Sequence, residues 1–223
     1  MTDDHAGRVT ARALLRGPGG VVRVAALVSV VVALVTLGPV DAALLVLVVG
    51  GVALPPLGEV PPWLDAAYGV GLLAAAWSGV LDQYEAVAWL DVVMHLVVTG
   101  LVAAVAHLLL AVRTGAVVDP RTARAAGLGG ASVLATAALG ITLSVLWEIG
   151  EYLGHTYLDP TIYVAYGDTI GDLVMGGLGS AAAGAALVRH GGRARTRQPV
   201  AGTAGGRARV SRSPGRRAPR RSS

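Results

Sequence analysis

Six long apolar stretches with almost no charged residues dominate the first 188 residues of the chain. A helix needs about 20 mostly apolar residues to cross the hydrocarbon core of a bilayer. Membrane-spanning strands would be about 10 residues long and would alternate apolar with polar side chains, which these stretches do not. The sequence therefore predicts an all-α polytopic bundle of transmembrane helices. The six predicted spans cover residues 21–38, 40–57, 63–81, 91–112, 127–148 and 169–188.

The low content of charged residues excludes a soluble globular domain as the main body of the chain. Charged residues make up 14% of the sequence, whereas soluble domains carry about 25%. The chain also contains no cysteine, which excludes disulfide bonds, thiolate metal sites and a cysteine nucleophile. The weakest predicted span is residues 63–81, because Asp65 and Ser78 interrupt its apolar sequence.

All 18 permanently basic residues are arginines, and their distribution predicts the orientation of the bundle. With six spans they all fall on one side, and the connecting segments on the other side contain none. Short loops rich in basic residues stay in the cytoplasm, so both termini are predicted to be cytoplasmic. Arginine without lysine is typical of a GC-rich bacterial genome, so the predicted location is the bacterial plasma (inner) membrane. The arginines are Arg8, Arg12, Arg16 and Arg23 near the first span, Arg113, Arg121 and Arg124 after the fourth, and eleven from Arg189 to Arg221.

The tail of residues 189–223 differs in composition from the rest of the chain. It contains eleven arginines and no acid, whereas residues 1–188 contain seven arginines and fourteen acids. Such a segment cannot bury a core, so it is predicted to be a disordered cytoplasmic tail after a cytoplasmic segment of residues 1–20 and a membrane domain of residues 21–188. We expect the tail to contact anionic lipid, at about 1 kcal/mol per arginine near the surface. Nucleic-acid binding is not expected, because no aromatic residues interleave the arginines for base stacking.

Most of the tyrosines fall on the side opposite the arginines. Tyrosine and tryptophan collect at membrane interfaces, so these residues are predicted to form an interfacial belt. The belt residues are Tyr84, Trp89, Trp147, Tyr152, Tyr157, Tyr163 and Tyr166.

Six ionisable residues lie at the ends of the last three predicted spans, all on the side without arginine. Ionisable groups in membrane spans are costly and usually face the bundle interior or a water-filled cavity. The six form three pairs with a spacing of three or four residues, so each pair projects from one face of its helix. Small or polar residues, including Thr99 and Ser144, continue the three faces inward, and small residues mark close helix packing in membranes. The six residues are Asp91, His95, Glu148, Glu151, Asp168 and Asp172.

Several like charges this close need compensation by a cation, by protons or by water. Carboxylates with one histidine suit Zn²⁺, Mn²⁺ or Fe²⁺, whereas oxygen ligands alone suit Mg²⁺ or Ca²⁺. A divalent metal ion is therefore the candidate cofactor, although the chain has no His-x-x-x-His pair. The alternative is that the aspartates which begin helices only favour the helix dipole. The candidate ligands are His95, Glu148, Glu151, Asp168 and Asp172, with supporting roles for Asp91, Thr99, Ser144 and the loop residue His155, which either caps the site or is exposed.

Three segments carry a resemblance to a known family. They are His95 in an apolar span, residues 147–152 (WEIGEY), and residues 167–172 (GDTIGD) followed by Gly176, Gly177 and Gly179. Over about residues 40–188 the chain resembles the YjdF-like inner-membrane proteins of bacteria. The resemblance implies that His95, an E-x-x-E-like pair (Glu148, Glu151) and a D-x-x-x-D pair (Asp168, Asp172) form the polar pattern of that family.

A weaker resemblance exists to the VanZ-like proteins, whose last span has an aspartate followed by a glycine-rich stretch. The pair Met175 and Gly176 stands where that pattern often has asparagine, which counts against this second family. Neither resemblance implies a reaction, because the YjdF-like proteins are of uncharacterised function.

Three functions fit these observations. The first is a metal-dependent membrane enzyme that acts on a lipid or cell-envelope substrate. The second is a cation- or proton-coupled transporter, which the lack of an internal repeat or a broken helix pair disfavours. The third is a non-catalytic assembly protein, in which the polar faces only hold helices together. Five carboxylates at one membrane level are more than packing requires.

Overall fold

The computed structural model describes residues 17–87 and 89–196, with side chains as far as residue 191. Within this part of the chain the regular secondary structure is entirely helical, which confirms the all-α prediction. The N-terminal segment up to residue 16 and the tail from residue 197 lie outside the described residues. The helices are α1 (Gly17–Thr36), α2 (Pro39–Val52), α3 (Pro62–Val80), α4 (Gln83–Ala86), α5 (Leu90–Thr114), α6 (Pro120–Ala123), α7 (Gly129–Tyr157) and α8 (Tyr166–Thr196), with a 3₁₀ turn at Pro55–Gly58.

Five described helical segments are long and apolar enough to cross a membrane, as a multi-pass membrane protein requires. Helix α3 covers almost all of the third predicted span, residues 63–81, but is not among the five. Its sequence is less apolar because Asp65, Tyr68 and Trp77 interrupt it. The five segments are Gly17–Thr36, Pro39–Gly58, Leu90–Thr114, Gly129–Tyr157 and Tyr166–Gly191.

The polar residues of α3 are satisfied by its neighbours α1 and α2. Arg23 of α1 lies against Asp65, with 2.7 Å between its Nη2 and Oδ1 of the carboxylate. The Nε–H of the same guanidinium donates to the Val52 carbonyl at the end of α2, also over 2.7 Å. Further along α3, the Tyr68 hydroxyl donates to the Gly51 carbonyl and the Trp77 indole N–H donates to Ser29 Oγ. Asp65, Tyr68 and Trp77 of α3 are therefore each paired with a group of α1 or α2.

The last three long helices approach one another closely because small residues line their contacts. A Cβ atom on Gly100 of α5 would lie 2.7 Å from the Gly179 carbonyl oxygen of α8. A Cβ atom on Gly179 would in turn collide with the Leu96 carbonyl oxygen, and one on Gly140 of α7 would collide with the Ser180 hydroxyl. These contacts bring α5, α7 and α8 together, as small residues do in membrane bundles.

We expect Gly179→Ala to destabilise the bundle by about 1–3 kcal/mol, because the added methyl group must push α8 away from the α5 backbone. Thermal unfolding in detergent measures the effect. Gly150→Ala on α7 is the matched control, since a Cβ atom there meets nothing within 4 Å. Alanine is the better helix former, so the control should be neutral or slightly stabilising. Equal melting temperatures for the two variants would contradict the close approach of α5 and α8.

Helix α7 is longer than the apolar stretch that predicts it. It continues past residue 148 to Tyr157, and the Leu158 N–H closes its last turn on the Gly154 carbonyl. The interpretation of His155 as a loop residue is therefore wrong, because the helix continues through polar residues beyond its apolar part. Glu148, Glu151 and His155 all lie on one continuous helix.

Candidate functional site

Asp91 and His95 of α5 meet Asp172 of α8 at one end of the bundle, which we call the acidic end. His95 Nε2 lies 3.6 Å from Asp91 Oδ1 and 3.8 Å from Asp172 Oδ2. The three potential ligand atoms all lie within 4.8 Å of one another. Exposure of the side chains falls from 25% for Asp91 to 11% for His95 and 4% for Asp172, so the cluster opens to the surface on the Asp91 side.

The helices explain why these three side chains converge. Asp91 and His95 are one turn apart on α5 and therefore share a face. The close approach of Gly100 and Gly179 holds the facing side of α8 near that face, so Asp172 also reaches the imidazole. Both carboxylates therefore approach the same nitrogen atom, Nε2 of His95.

The spacing around His95 fits a metal ion better than direct hydrogen bonds from the imidazole to the two carboxylates. Distances of 3.6 Å and 3.8 Å from His95 Nε2 to the two carboxylates are too long for hydrogen bonds. Ligand atoms bind zinc at about 2.0–2.2 Å, so two of them are separated by at most roughly twice that distance. The separation in the cluster is close to this limit, and a small movement of the side chains would complete a three-ligand site.

Enclosed polar atoms without a partner surround the cluster. Among the described residues, the Nδ1 atom of His95, the hydroxyl of Ser144 and the Oε1 atom of Glu148 are enclosed and have no hydrogen-bond partner. A buried polar atom without a partner costs about 1–3 kcal/mol, and more if it is charged. Such atoms in a native structure need an explanation, and a bound ion with ordered water is one.

Glu148 of α7 is the side chain best placed to act beside the cluster. Only 9% of the residue is exposed. Its carboxylate is close enough to His95, Asp91 and Asp168 for electrostatic interaction, and Thr169 is its hydrogen-bonding neighbour. A carboxylate in this position can accept a proton from a group held at the cluster.

The other predicted site residues lie around the cluster at different depths. Glu151 and Asp168 are half-buried and interact electrostatically with Asp91, but neither belongs to the three-residue ligand group. Thr99 and Ser144 lie one level deeper, where a Cβ atom on Gly176 would be 3.1 Å from each side chain. Both side chains therefore lie deeper in the bundle than the three ligand residues. His155 is not part of the group, because its Nδ1 is 2.6 Å from the Ile162 carbonyl and joins α7 to the following loop.

Tyr84 adjoins the site, although the sequence predicts only a place in the interfacial belt. The residue is half-buried, and its hydroxyl donates to the Ala75 carbonyl of α3 over 2.9 Å. Burial first, and then the nearby carboxylates of Asp91, Glu151 and Asp172, raise the pKa of Tyr84. The other tyrosines of the predicted belt have exposures between 56% and 85%.

His107 lies near the opposite end of α5 and forms a separate polar contact. It is fully buried, and its Nε2 is 2.9 Å from the Val118 carbonyl. A carbonyl only accepts, so Nε2 carries the proton, while Nδ1 lies 2.7 Å from the Thr136 hydroxyl. This contact joins α5, α7 and the loop before α6, and it does not extend to the acidic end.

Comparison with protein-family models, curated proteins and solved structures finds no match to this chain. The case for a function therefore depends on the geometry of the site.

Proposed function

We propose that this chain is an integral membrane protein that binds a divalent metal ion through Asp91, His95 and Asp172 and uses it for hydrolytic chemistry at the membrane surface. The convergence of three ligand atoms within 4.8 Å carries the proposal. A divalent ion compensates the two carboxylates of the cluster. Three protein ligands leave a coordination position open for water or substrate, which is typical of catalytic rather than structural zinc sites.

In this proposal Glu148 is the general base. A divalent ion at the cluster would supply Lewis-acid chemistry, since it would lower the pKa of coordinated water and polarise a carbonyl or phosphoryl oxygen. Glu148 is enclosed, has an unpaired Oε1 atom and lies beside the ligands. Glu151 and Asp168 add negative potential around the opening, which attracts cations.

The topology that we propose has six crossings, with both termini on the cytoplasmic side. Arg121 lies 3.5 Å from Glu59, which brings the connection between α2 and α3 to the end of the bundle where α5 ends. Helix α3 then leads from this end to the loop before Asp91, and so covers the same thickness as α5. Its paired polar groups favour a crossing despite its lower hydropathy. The orientation is proposed from the positive-inside rule, which assigns the arginine-rich loop and both termini to the cytoplasm.

The substrate class follows from the position of the site. The cluster lies near the ends of helices that are apolar enough to span a membrane, so we propose a lipid or cell-envelope substrate that reaches it from the interface. We also propose membership of the YjdF-like family of bacterial inner-membrane proteins, on the polar pattern of His95, Glu148 and Asp172. Contact of the arginine-rich tail with anionic lipid is part of the same proposal.

Cation- or proton-coupled transport is the second candidate, and one observation favours it. Buried polar side chains continue from the cluster along the facing sides of α7 and α8. Ser144, Ser180, Thr136 and Ser132 are each at most 3% exposed. This line leads to the His107 contact near the other end of the bundle. Ser180 and Thr136 also bond to their own helix backbones, so simple helix packing is the alternative explanation.

One variant distinguishes the candidates. We expect Glu148→Gln to retain metal and to lose hydrolysis by about 100-fold or more, since general bases contribute about 10²–10⁴-fold. Purified protein is reconstituted in vesicles of bacterial polar lipid extract that contain a zinc-sensitive dye. Mass spectrometry follows the release of lipid head groups, and the dye follows uptake of Zn²⁺.

Metal-dependent lipid cleavage that the Glu148→Gln variant lacks supports the enzyme. Dye response without lipid cleavage favours transport instead. The absence of both signals, with protein that does bind metal, would contradict both lipid hydrolysis and zinc transport. Asp82→Asn, at an exposed carboxylate in the turn between α3 and α4, is the control that should behave as the wild type.

A further inference from the structure

A groove of apolar side chains runs along the outside of the bundle between α7 and α8. We call it the α7–α8 groove. Its volume is about 420 Å³, which lies within the range of about 300–1,000 Å³ for sites that bind small molecules. From Ile170 to Leu178 it extends over about 12 Å of α8, since a helix rises about 1.5 Å per residue. The residues that line it are Ile141, Ile170, Leu173, Val174, Gly177 and Leu178.

The groove is deepest where α8 has a glycine. Gly177 has no side chain, and a Cβ atom there would lie 3.3 Å from Cγ1 of Ile141 on α7. Beside it, Ile170, Val174 and Leu178 follow one another at a spacing of four and form a ridge along α8. These three residues and Ile141 are each 44–56% exposed. The walls of the groove therefore face the surroundings of the bundle and not its interior.

The outer end of the groove lies at the depth of the metal cluster. A Cβ atom on Gly176 would be 3.1 Å from the side chains of both Thr99 and Ser144, so these three residues mark one level of the bundle. One turn nearer the acidic end, at a distance of about 6 Å, each of the three helices carries an ionisable residue. Ile170 lies two residues beyond that turn on α8. The three ionisable residues are His95, Glu148 and Asp172.

Glu148 lies between the groove and the cluster. It is seven residues from Ile141, which is about two turns, so the two residues share one stripe of α7. Ile141 lines the groove, whereas Glu148 is only 9% exposed and its Oε1 atom has no partner. The groove is therefore apolar along its length and has an unpaired carboxyl group at its outer end. A lipid has the matching form, with a hydrocarbon chain and a polar head.

The surroundings of this face consist of lipid. Both α7 and α8 are long and apolar enough to cross a membrane, so the groove between them is open to hydrocarbon chains. We propose that the α7–α8 groove binds one acyl chain of a phospholipid and so holds the head of that lipid at the depth of the cluster. This inference rests on the proposed metal-dependent hydrolysis and identifies its substrate as a lipid with an acyl chain.

The experiment maps the contacts of a photoreactive phospholipid with the full-length protein in nanodiscs of phosphatidylethanolamine and phosphatidylglycerol. The probe is phosphatidylglycerol with a diazirine in one acyl chain, and mass spectrometry locates the label after illumination. Ile141 should be labelled more densely than Val31 of α1, although Val31 is the more exposed residue, at 61% against 45%. We expect Val174→Trp to lower the labelling of Ile141 by about 10-fold or more, because loss of one methylene group from an apolar pocket costs about that much.

The same variants are tested for cleavage of phosphatidylglycerol and for affinity for Zn²⁺. Val174→Trp should lower the rate of cleavage by about 10-fold or more and bind Zn²⁺ as the wild type does, because Val174 and Asp172 project from different faces of α8. Val31→Trp is the matched control and should equal the wild type in labelling of Ile141, cleavage and metal binding. Leu178→Trp, at another exposed wall of the groove, is the second variant if Val174→Trp is not stable.

Labelling that follows exposure alone, or equal labelling of Ile141 in Val174→Trp and the wild type, would overturn the chain-binding groove and leave the metal site intact. A dimer that Val174→Trp dissociates, detected by light scattering, would overturn lipid as the occupant in favour of a second copy of the chain. Dense labelling of Ile141 in wild-type protein that cleaves no lipid would overturn the proposed hydrolysis and the role of this lipid as substrate, and leave the lipid-binding groove.

Discussion

Replacement of Asp172 by asparagine is expected to remove high-affinity metal binding while the helix bundle remains folded. Asp172 is the most buried of the three proposed ligands, with 4% of its side chain exposed. Asparagine has nearly the same shape but lacks the charge that a divalent ion needs. We expect a loss of affinity of at least about 100-fold, since even the residues that only support metal ligands contribute about 10–100-fold.

Titration with Zn²⁺ and Mn²⁺ measures this loss, and the melting temperature of the metal-free protein reports its folding. The metal-free variant should melt no lower than the metal-free wild type, because one of several crowded negative charges is removed. Asp82→Asn removes an exposed carboxylate from the same end of the bundle and should bind metal as the wild type does. Equal affinities of the Asp172→Asn variant and the wild type would exclude Asp172 as a ligand.

Replacement of Arg23 by methionine is expected to cause the largest loss of stability, about 3–5 kcal/mol, which is typical when one partner of a buried ion pair is removed. Without the guanidinium, the Asp65 carboxylate loses its partner at 2.7 Å and the Val52 carbonyl loses a donor. Both groups would remain in a setting where only 16% of the Asp65 side chain is exposed.

The double variant Arg23→Met, Asp65→Leu should recover most of this stability, because an apolar pair of similar volume often replaces a buried ion pair at little cost. Unfolding in detergent, followed by temperature or by SDS titration, gives the comparison. The exposed pair of Arg121 and Glu59 is the control. Its Glu59→Gln variant should lose about 1 kcal/mol or less, as surface pairs do. A double variant as unstable as Arg23→Met would contradict a simple pairing of the two charges.

The apolar sequence predicts the helices well because length and hydropathy determine whether a segment can lie in a bilayer. The break between α1 and α2 falls at Gly38 and Pro39, which separate two apolar stretches of the sequence. The ends of α7 and α8 are predicted less well. Those helices continue beyond their apolar parts to Tyr157 and Thr196, where hydropathy carries no signal.

The site is predicted only in part, because its geometry depends on contacts between helices. Spacing along one helix places Asp91 beside His95, but the choice of Asp172 over Asp168 or Glu151 as the third member depends on how α5 and α8 cross. That crossing is set by the backbone contact at Gly100 and Gly179, which a single sequence shows only as small residues.

Two other contacts have no strong signal in the sequence. Tyr84 is placed by a bond to a backbone carbonyl, and any residue type supplies such an acceptor. Asp65 and Arg23 look like an interruption and a flanking charge when each span is considered alone. Opposite charges near the starts of two apolar stretches that begin at the same end of the bundle are the signal that would have indicated their pairing.

Metal content of the purified protein tests the central claim most directly. Detergent-solubilised wild-type protein is incubated in turn with Zn²⁺, Mn²⁺, Mg²⁺ and Ca²⁺, separated from free ions by gel filtration and examined by elemental analysis beside the Asp172→Asn variant. The proposed site of Asp91, His95 and Asp172 predicts close to one Zn²⁺ or Mn²⁺ per chain in the wild type and background levels in the folded variant. The metal site at this cluster would be contradicted if the wild type retained no ion, or if the wild type and the variant retained the same amount.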